Sequence, residues 1–260
     1  MFDPARFRRL VIATWLEERR TWAWFLGVGV IVHCLLVLAL LLPGAGSFTL
    51  SKASQGGLWI AGLVITGTIF AGRYFQAMAR RESALLLLTR PATAFEKWLL
   101  AVLVVAVAYP LAYTLAFQIC NIPAGLIAAS QAGELMAISG DSYAYLKPED
   151  YGVLRPWQAM PAAGWATLVP VVLALQGFAL LGSLYFHRWP FIKTLVAGFG
   201  LMLVLILIAG VGGNDTFFAF WHERDRHGLP AQLVLGGTWL LIPALVWLAA
   251  LFALQERQEA

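Results

Sequence analysis

Six stretches of this chain, 22–43, 57–75, 99–120, 162–186, 193–212 and 233–254, are almost continuously apolar. Each is about twenty residues long, and at a rise of about 1.5 Å per residue that length crosses a hydrocarbon core of about 30 Å. Inside lipid the backbone has no water to bond, so each stretch must close its hydrogen bonds within itself, as a helix. Strands of a membrane barrel would instead give alternating segments of about ten residues, a pattern absent from this sequence. Composition agrees: 60% of the 260 residues are hydrophobic and 12% are charged, about half the charged share of a soluble domain. The expected fold class is an all-α membrane protein, with about six transmembrane helices preceded by an amphipathic interfacial helix.

That first helix is expected within 1–21. Asp3 suits its N-cap and Pro4 its first turn. Phe7, Leu10, Val11, Thr14 and Trp15 recur at helical spacing and make one mostly apolar face. Arg6, Arg8, Arg9, Arg19 and Arg20 supply cations for lipid headgroups. The following apolar run is too long for a signal-peptide core, so it reads as a helix that stays in the membrane. Residues 22–254 then form a single transmembrane domain with external loops 121–161 and 213–232, and 255–260 form a cytoplasmic tail. A short helix is expected around 124–138. Pro110, Pro170 and Pro243 fall inside spans, where kinks are expected and tolerated.

Orientation follows from the basic residues. With both termini inside, thirteen of the 18 Lys and Arg lie on the cytoplasmic side. Lys52, Lys147, Arg155, Arg224 and Arg226 lie outside. Trp22, Trp24, Trp98 and Trp189 then sit at inner span ends, and Trp59, Trp165, Trp221 and Trp239 at or near outer ends, as interface anchors.

The spans hold few groups that could carry chemistry. They contain no Asp or Glu, and Arg73 and Lys193 fall at ends, so an ion-coupled relay through buried carboxylates is not expected. His33 reads as packed against a neighbouring helix. Cys34 and Cys120 form no CxxC motif and read as small apolar core residues. His222, Glu223 and His227 miss the i, i+4 spacing that brings two imidazoles to one zinc ion. Thr66, Thr114, Gln118 and Gln176 are the polar residues able to line a substrate path or to bond between helices. No GxxxxGK[ST] sequence is present, so no P-loop holds ATP on this chain. No catalytic residue, bound metal or cofactor is expected.

The segment 76–98, QAMARRESALLLLTRPATAFEKW, is different. It is too apolar for a plain solvated turn and too charged to enter lipid, which suits a surface covered by a cytoplasmic protein or lying in the headgroups. Thr93 and Glu96 have the spacing of a capping box that would start the third span.

Here the chain resembles the membrane subunits of type-2 ABC exporters from bacteria. The resemblance rests on Leu86–Leu87–Leu88–Thr89–Arg90–Pro91–Ala92–Thr93–Ala94–Phe95–Glu96–Lys97–Trp98. It rests also on Gly182–Ser183–Leu184–Tyr185–Phe186 with Phe191–Ile192–Lys193–Thr194, and on the terminal Leu254–Gln255–Glu256–Arg257–Gln258. The surface helix and the six-span layout match as well. Arg90 stands where relatives often have an apolar residue, which leaves the alignment of the loop open.

The resemblance implies a permease subunit of the bacterial inner membrane that pairs with a second copy or a sister permease. It would bind separate ABC ATPase subunits that carry ATP and magnesium, with loop 76–98 as the coupling element. Glu82, Leu88, Arg90, Pro91, Thr93, Glu96 and Lys97 are then the expected ATPase contacts. The lipid bilayer is the other partner, and nucleic acid is not. The alternative is an accessory or immunity-type membrane protein that acts by binding, without an ATPase.

Overall fold

The computed structural model describes residues 2–41, 50–76, 91–139, 147–186, 192–200 and 229–259. Among them the chain is helical with short turns, and no strand occurs. The helices are α1 (Pro4–Leu41), α2 (Lys52–Tyr74), α3 (Ala94–Val102), α4 (Tyr109–Ser139), α5 (Ala162–Tyr185), α6 (192–200) and α7 (Leu229–Glu259). A π-helical segment, Leu103–Ala108, joins α3 to α4. Among the described residues five helical runs are long and apolar enough to cross a membrane: Pro4–Leu41, Lys52–Tyr74, Ala94–Glu134, Gly164–Tyr185 and Leu240–Arg257. Of the expected span 193–212, residues to 200 are helical and the rest lie outside the described residues.

Large apolar side chains point outward on these helices. Ile31, Leu35 and Leu38 on α1, Leu115, Ile119 and Leu126 on α4, and Leu241, Leu245 and Phe252 on α7 are each more than half exposed. Such surfaces would associate in water, whereas lipid solvates them without cost. The protein is an all-α membrane protein.

Two helices run further than expected. The chain does not turn near residue 21: α1 is one unbroken helix from Pro4 to Leu41. No glycine or proline interrupts it between Pro4 and Gly27, so nothing local stops the hydrogen-bond ladder. Likewise the helix expected around 124–138 is the direct continuation of α4, which passes through Pro123 to Ser139. Pro123 removes one N–H and so frees only the Ile119 carbonyl. At Pro110 the accommodation differs. The missing N–H orphans the Ala106 carbonyl and the ring presses on that turn, and the preceding six residues widen into a π-helix. Helices α5 and α7 continue through Pro170 and Pro243.

The described chain forms two compact units. One comprises Met1–Phe7, Thr68–Val102 and Ala166–Ala260; the other comprises Arg8–Gly67 and Leu103–Trp165. Because α1 and α2 each contribute to both, neither unit is a separable piece of sequence.

In the second unit α1 and α4 lie side by side and parallel. Phe25 meets Tyr109 (ring centroids 5.9 Å apart), His33 meets Phe117 (4.7 Å), and Val37 packs with Leu50, Ala124 and Ala128. His33 is therefore a packed histidine, as its sequence setting suggests. Trp59 is not an interface anchor. It is 2% exposed, its ring lies 5.4 Å from that of Trp165, and its indole N–H donates to Thr114 Oγ1 at 3.3 Å. An indole satisfied inside the protein gains nothing from the headgroups. The turn 147–156 is pinned by Gln55, which is fully buried. The Gln55 amide donates to Gly152 O at 2.8 Å and to Leu50 O at 3.4 Å. Its carbonyl accepts from Leu154 N–H at 3.0 Å and from Asn121 Nδ2 at 2.9 Å. Gly152 has φ +117°, a region that L side chains rarely enter, and it lies against Gly125, where a Cβ would strike the Gly152 backbone.

The hydroxyl of Tyr113 occupies the space that a side chain at position 62 would need. Gly62→Ala should therefore lower stability by about 1–3 kcal/mol, the overpacking cost outweighing the gain in helix propensity. Adding Tyr113→Phe, which removes the obstructing oxygen, should recover part of the loss. Thermal unfolding of the two variants in detergent checks this, and equal stability of Gly62→Ala and the parent would contradict it.

Candidate functional site at the start of α3

The Thr93–Ala94–Phe95–Glu96 turn closes as its spacing predicts. Thr93 Oγ1 accepts from the Glu96 N–H at 3.3 Å, and the Glu96 carboxylate accepts from the Thr93 N–H at 3.0 Å. Two otherwise orphaned donors of α3 are thereby satisfied reciprocally. The carboxylate has further partners 90 residues and more away. It accepts from the Asp3 N–H at 3.0 Å, from Arg6 Nε at 2.8 and 3.1 Å, and from Arg6 Nη2 at 2.7 Å. Asp3 in turn caps α1, its Oδ1 accepting from the Ala5 N–H at 2.9 Å. One carboxylate thus joins the N-terminal ends of two helices, where a negative charge also suits both helix dipoles.

The Glu96 side chain is 0% exposed. It stands ahead of the apolar stretch 99–120, at the polar end of its helix. The bidentate Arg6 guanidinium and the two N–H donors hold its carboxyl down to about 2, although burial pushes the other way. So saturated and so acidic a group is a fixed anion, unsuited to passing a proton.

Around this pair the same unit is braced by rings and carbonyls. Phe2 meets Phe95 edge-on at 6.4 Å, and Phe95 lies 5.7 Å from Trp98. The Trp98 indole N–H donates to Trp247 O at 2.8 Å, tying α3 to α7. The Trp247 N–H donates to Leu173 O at 3.0 Å, tying α7 to α5 across Gly177, which leaves room for the ring. Further along, Arg257 Nη2 donates to Leu184 O at 2.7 Å, placing a cation at the last turn of α5.

Of the expected ATPase contacts, Glu82, Leu88 and Arg90 lie outside the described residues. Pro91 is exposed and Thr93 half-buried. Glu96 and Lys97 (4% exposed) are turned into the chain's own packing, so Pro91 and the exposed Phe95 are what this turn offers outward. The polar path residues have separate settings. Thr66 Oγ1 donates to Gly62 O of its own helix at 2.5 Å, and Thr114 receives the Trp59 N–H. Gln118 Oε1 and both amide ends of Gln176 are buried without a partner among the described residues. Thr66, Thr114 and Gln118 belong to one unit and Gln176 to the other. His222, Glu223 and His227 lie outside the described residues. Among those described, no three His, Cys, Asp or Glu side chains gather as a metal site.

Sequence reasoning missed Arg6 and Asp3 as partners of Glu96, and Gln55 with Asn121 as a buried pair. Arg6 was legible only as one of several arginines suited to headgroups. Nothing in a single sequence selects it for a glutamate 90 positions on. No family model matches the chain, and no curated protein or solved structure matches it.

Proposed function

We propose that the chain is the transmembrane permease subunit of an ATP-driven ABC exporter in the bacterial inner membrane, its termini cytoplasmic. It forms the substrate path, pairs with a second copy or a sister permease, and leaves ATP hydrolysis to separate subunits docked on loop 76–98. The observation that best supports this reading is the Glu96 clamp. A loop that transmits force must end on something stiff, and this one leads into a helix start joined to α1 by the ion pair of Arg6 with the buried Glu96 carboxylate and to α7 by the Trp98 hydrogen bond. Displacement of Pro91–Thr93 would be carried into three helices rather than absorbed in a free turn. On this reading Arg90, Glu82 and Leu88 meet the ATPase, while Glu96 and Lys97 act inside the permease as the stiff base of the lever.

Purification from the native membrane, with identification of co-purifying chains and assay of their ATP hydrolysis, tests the proposal. Glu82→Lys and Arg90→Glu should strip most of the ATPase and its stimulated hydrolysis while leaving the thermal unfolding of the permease unchanged. Purification without any ATPase subunit would overturn the assignment and favour the accessory or immunity-type protein. So would retention and hydrolysis unaffected by both substitutions.

A further inference from the structure

The facing stripes of α1 and α4 bring together two residues that lie 86 positions apart in sequence. On α1 the stripe is Leu26, Val30, His33 and Val37; on α4 it is Tyr109, Tyr113, Phe117 and Ala124. These sets keep the 3.6-residue period of helices in contact. The helices run in the same direction with a steady register, since Phe25 pairs with Tyr109 and His33 with Phe117. Beyond these pairs Val37 shares a buried cluster with Ala124 and Ala128. Cys120 falls on the α4 stripe, one turn beyond Phe117 and one before Ala124. Cys34 falls one turn beyond Val30, at the edge of the α1 stripe and at the same level. Both are free, Cys120 half-buried and Cys34 facing outward, so Cys34 is not the core residue that its sequence setting suggests.

We propose that Cys34 and Cys120 are a disulfide-forming pair, a covalent modification site that staples α1 to α4. The oxidant is a second disulfide, from a small molecule or a protein. The Cys34 thiol, the more exposed of the two, loses its proton and attacks the incoming disulfide; a mixed disulfide forms and one thiol of the oxidant leaves. The Cys120 sulfur then loses its proton and displaces the second. Two S–H bonds have become one S–S bond, and the two electrons and two protons reside on the two thiols released. Reduction by a dithiol reverses the exchange. The bridge would hold the two helices in their present register and forbid their sliding or separation.

The test uses the full chain in membranes or nanodiscs and the lipid-permeant oxidant 4,4′-dithiodipyridine, whose released thiopyridone is counted by absorbance. A facing pair should release two thiopyridones per protein and lose the mass of two hydrogens, with no pyridyl group retained. Trypsin cleavage at Arg80 or Arg81 should then leave the two fragments joined until a reductant is added. Cys34→Ser and Cys120→Ser should each retain one pyridyl adduct and yield no joined fragments. Moving the second thiol one position, as Cys120→Ser with Ile119→Cys, should abolish the bridge, because Ile119 is 73% exposed and points off the stripe. Retention of two pyridyl adducts by the parent protein would overturn the proposal. So would thiols that stay reduced yet react after denaturation, joining of two chains through Cys34 in place of the intrachain bridge, or bridging by the Ile119→Cys pair equal to that of the parent.

Discussion

Glu96→Ala is expected to be among the most destabilising single substitutions in the chain, at about 3 kcal/mol. The α3 cap contributes about 1 kcal/mol of this and the charged hydrogen bonds to Arg6 and the Asp3 N–H about 2 kcal/mol. Glu96→Gln keeps the volume and one acceptor oxygen, so it should cost less. The same group gives the protein an acid limit of definite sign. Its carboxyl lies near 4.5 when unpaired and about 2 in the fold. The stability it contributes is fully present above the unpaired value and is lost as pH falls through the folded one. Thermal unfolding in detergent should therefore show the parent weakening between these two pH values, and Glu96→Gln should flatten that part of the profile. An identical acid slope in parent and Glu96→Gln would show that the clamp does not bear on stability. Arg6→Met should also destabilise, since it leaves the buried carboxylate without its cation, and it should add little once Glu96 has been removed.

Gln55→Leu should act with similar size at the other unit, again about 3 kcal/mol, from a different cause. The shape is nearly conserved, but the buried Leu154 N–H and the half-buried Gly152 O lose their partner, each at about 1–3 kcal/mol. Asn121→Leu should cost less. Asn121 gives one hydrogen bond to Gln55, and its own carbonyl is already without a partner among the described residues. The order Gln55→Leu worse than Asn121→Leu is the sharp expectation. Limited proteolysis should show the 147–156 turn opening first in Gln55→Leu, because that side chain holds both sides of Gly152. Equal stability of the two variants, or protection of the turn in Gln55→Leu, would contradict this account.

How far a residue's role can be read from sequence depends here on the distance over which it acts. The Thr93–Glu96 capping box was legible because both partners lie within one turn, and local geometry allows few alternatives. The packed state of His33 was legible because a lone imidazole in an apolar run has little else to bond. Trp59 was misplaced because a tryptophan near a span end has two satisfactory settings, headgroup or protein, and only the presence of Thr114 and Trp165 chooses between them. The same holds for the helix lengths. The sequence shows where lipid begins to be excluded or required, whereas a hydrogen-bond ladder without a breaker carries on past that point, as at Glu17–Trp24 and beyond Cys120.

What the sequence alone determined is the solvent: runs of about twenty apolar residues can be nothing but membrane helices, because unpaired backbone groups in lipid cost too much. The start of α3 was also determined, since Thr93 and Glu96 carry their own stop for the backbone. Tertiary structure decided which charge meets which. Five arginines precede the first span, and only the approach of α1 to the start of α3 selects Arg6 for Glu96. It decided likewise that two cysteines with no shared motif stand at one level of a parallel helix pair. Such choices are made by the register of packed helices, and register is a property of two surfaces together.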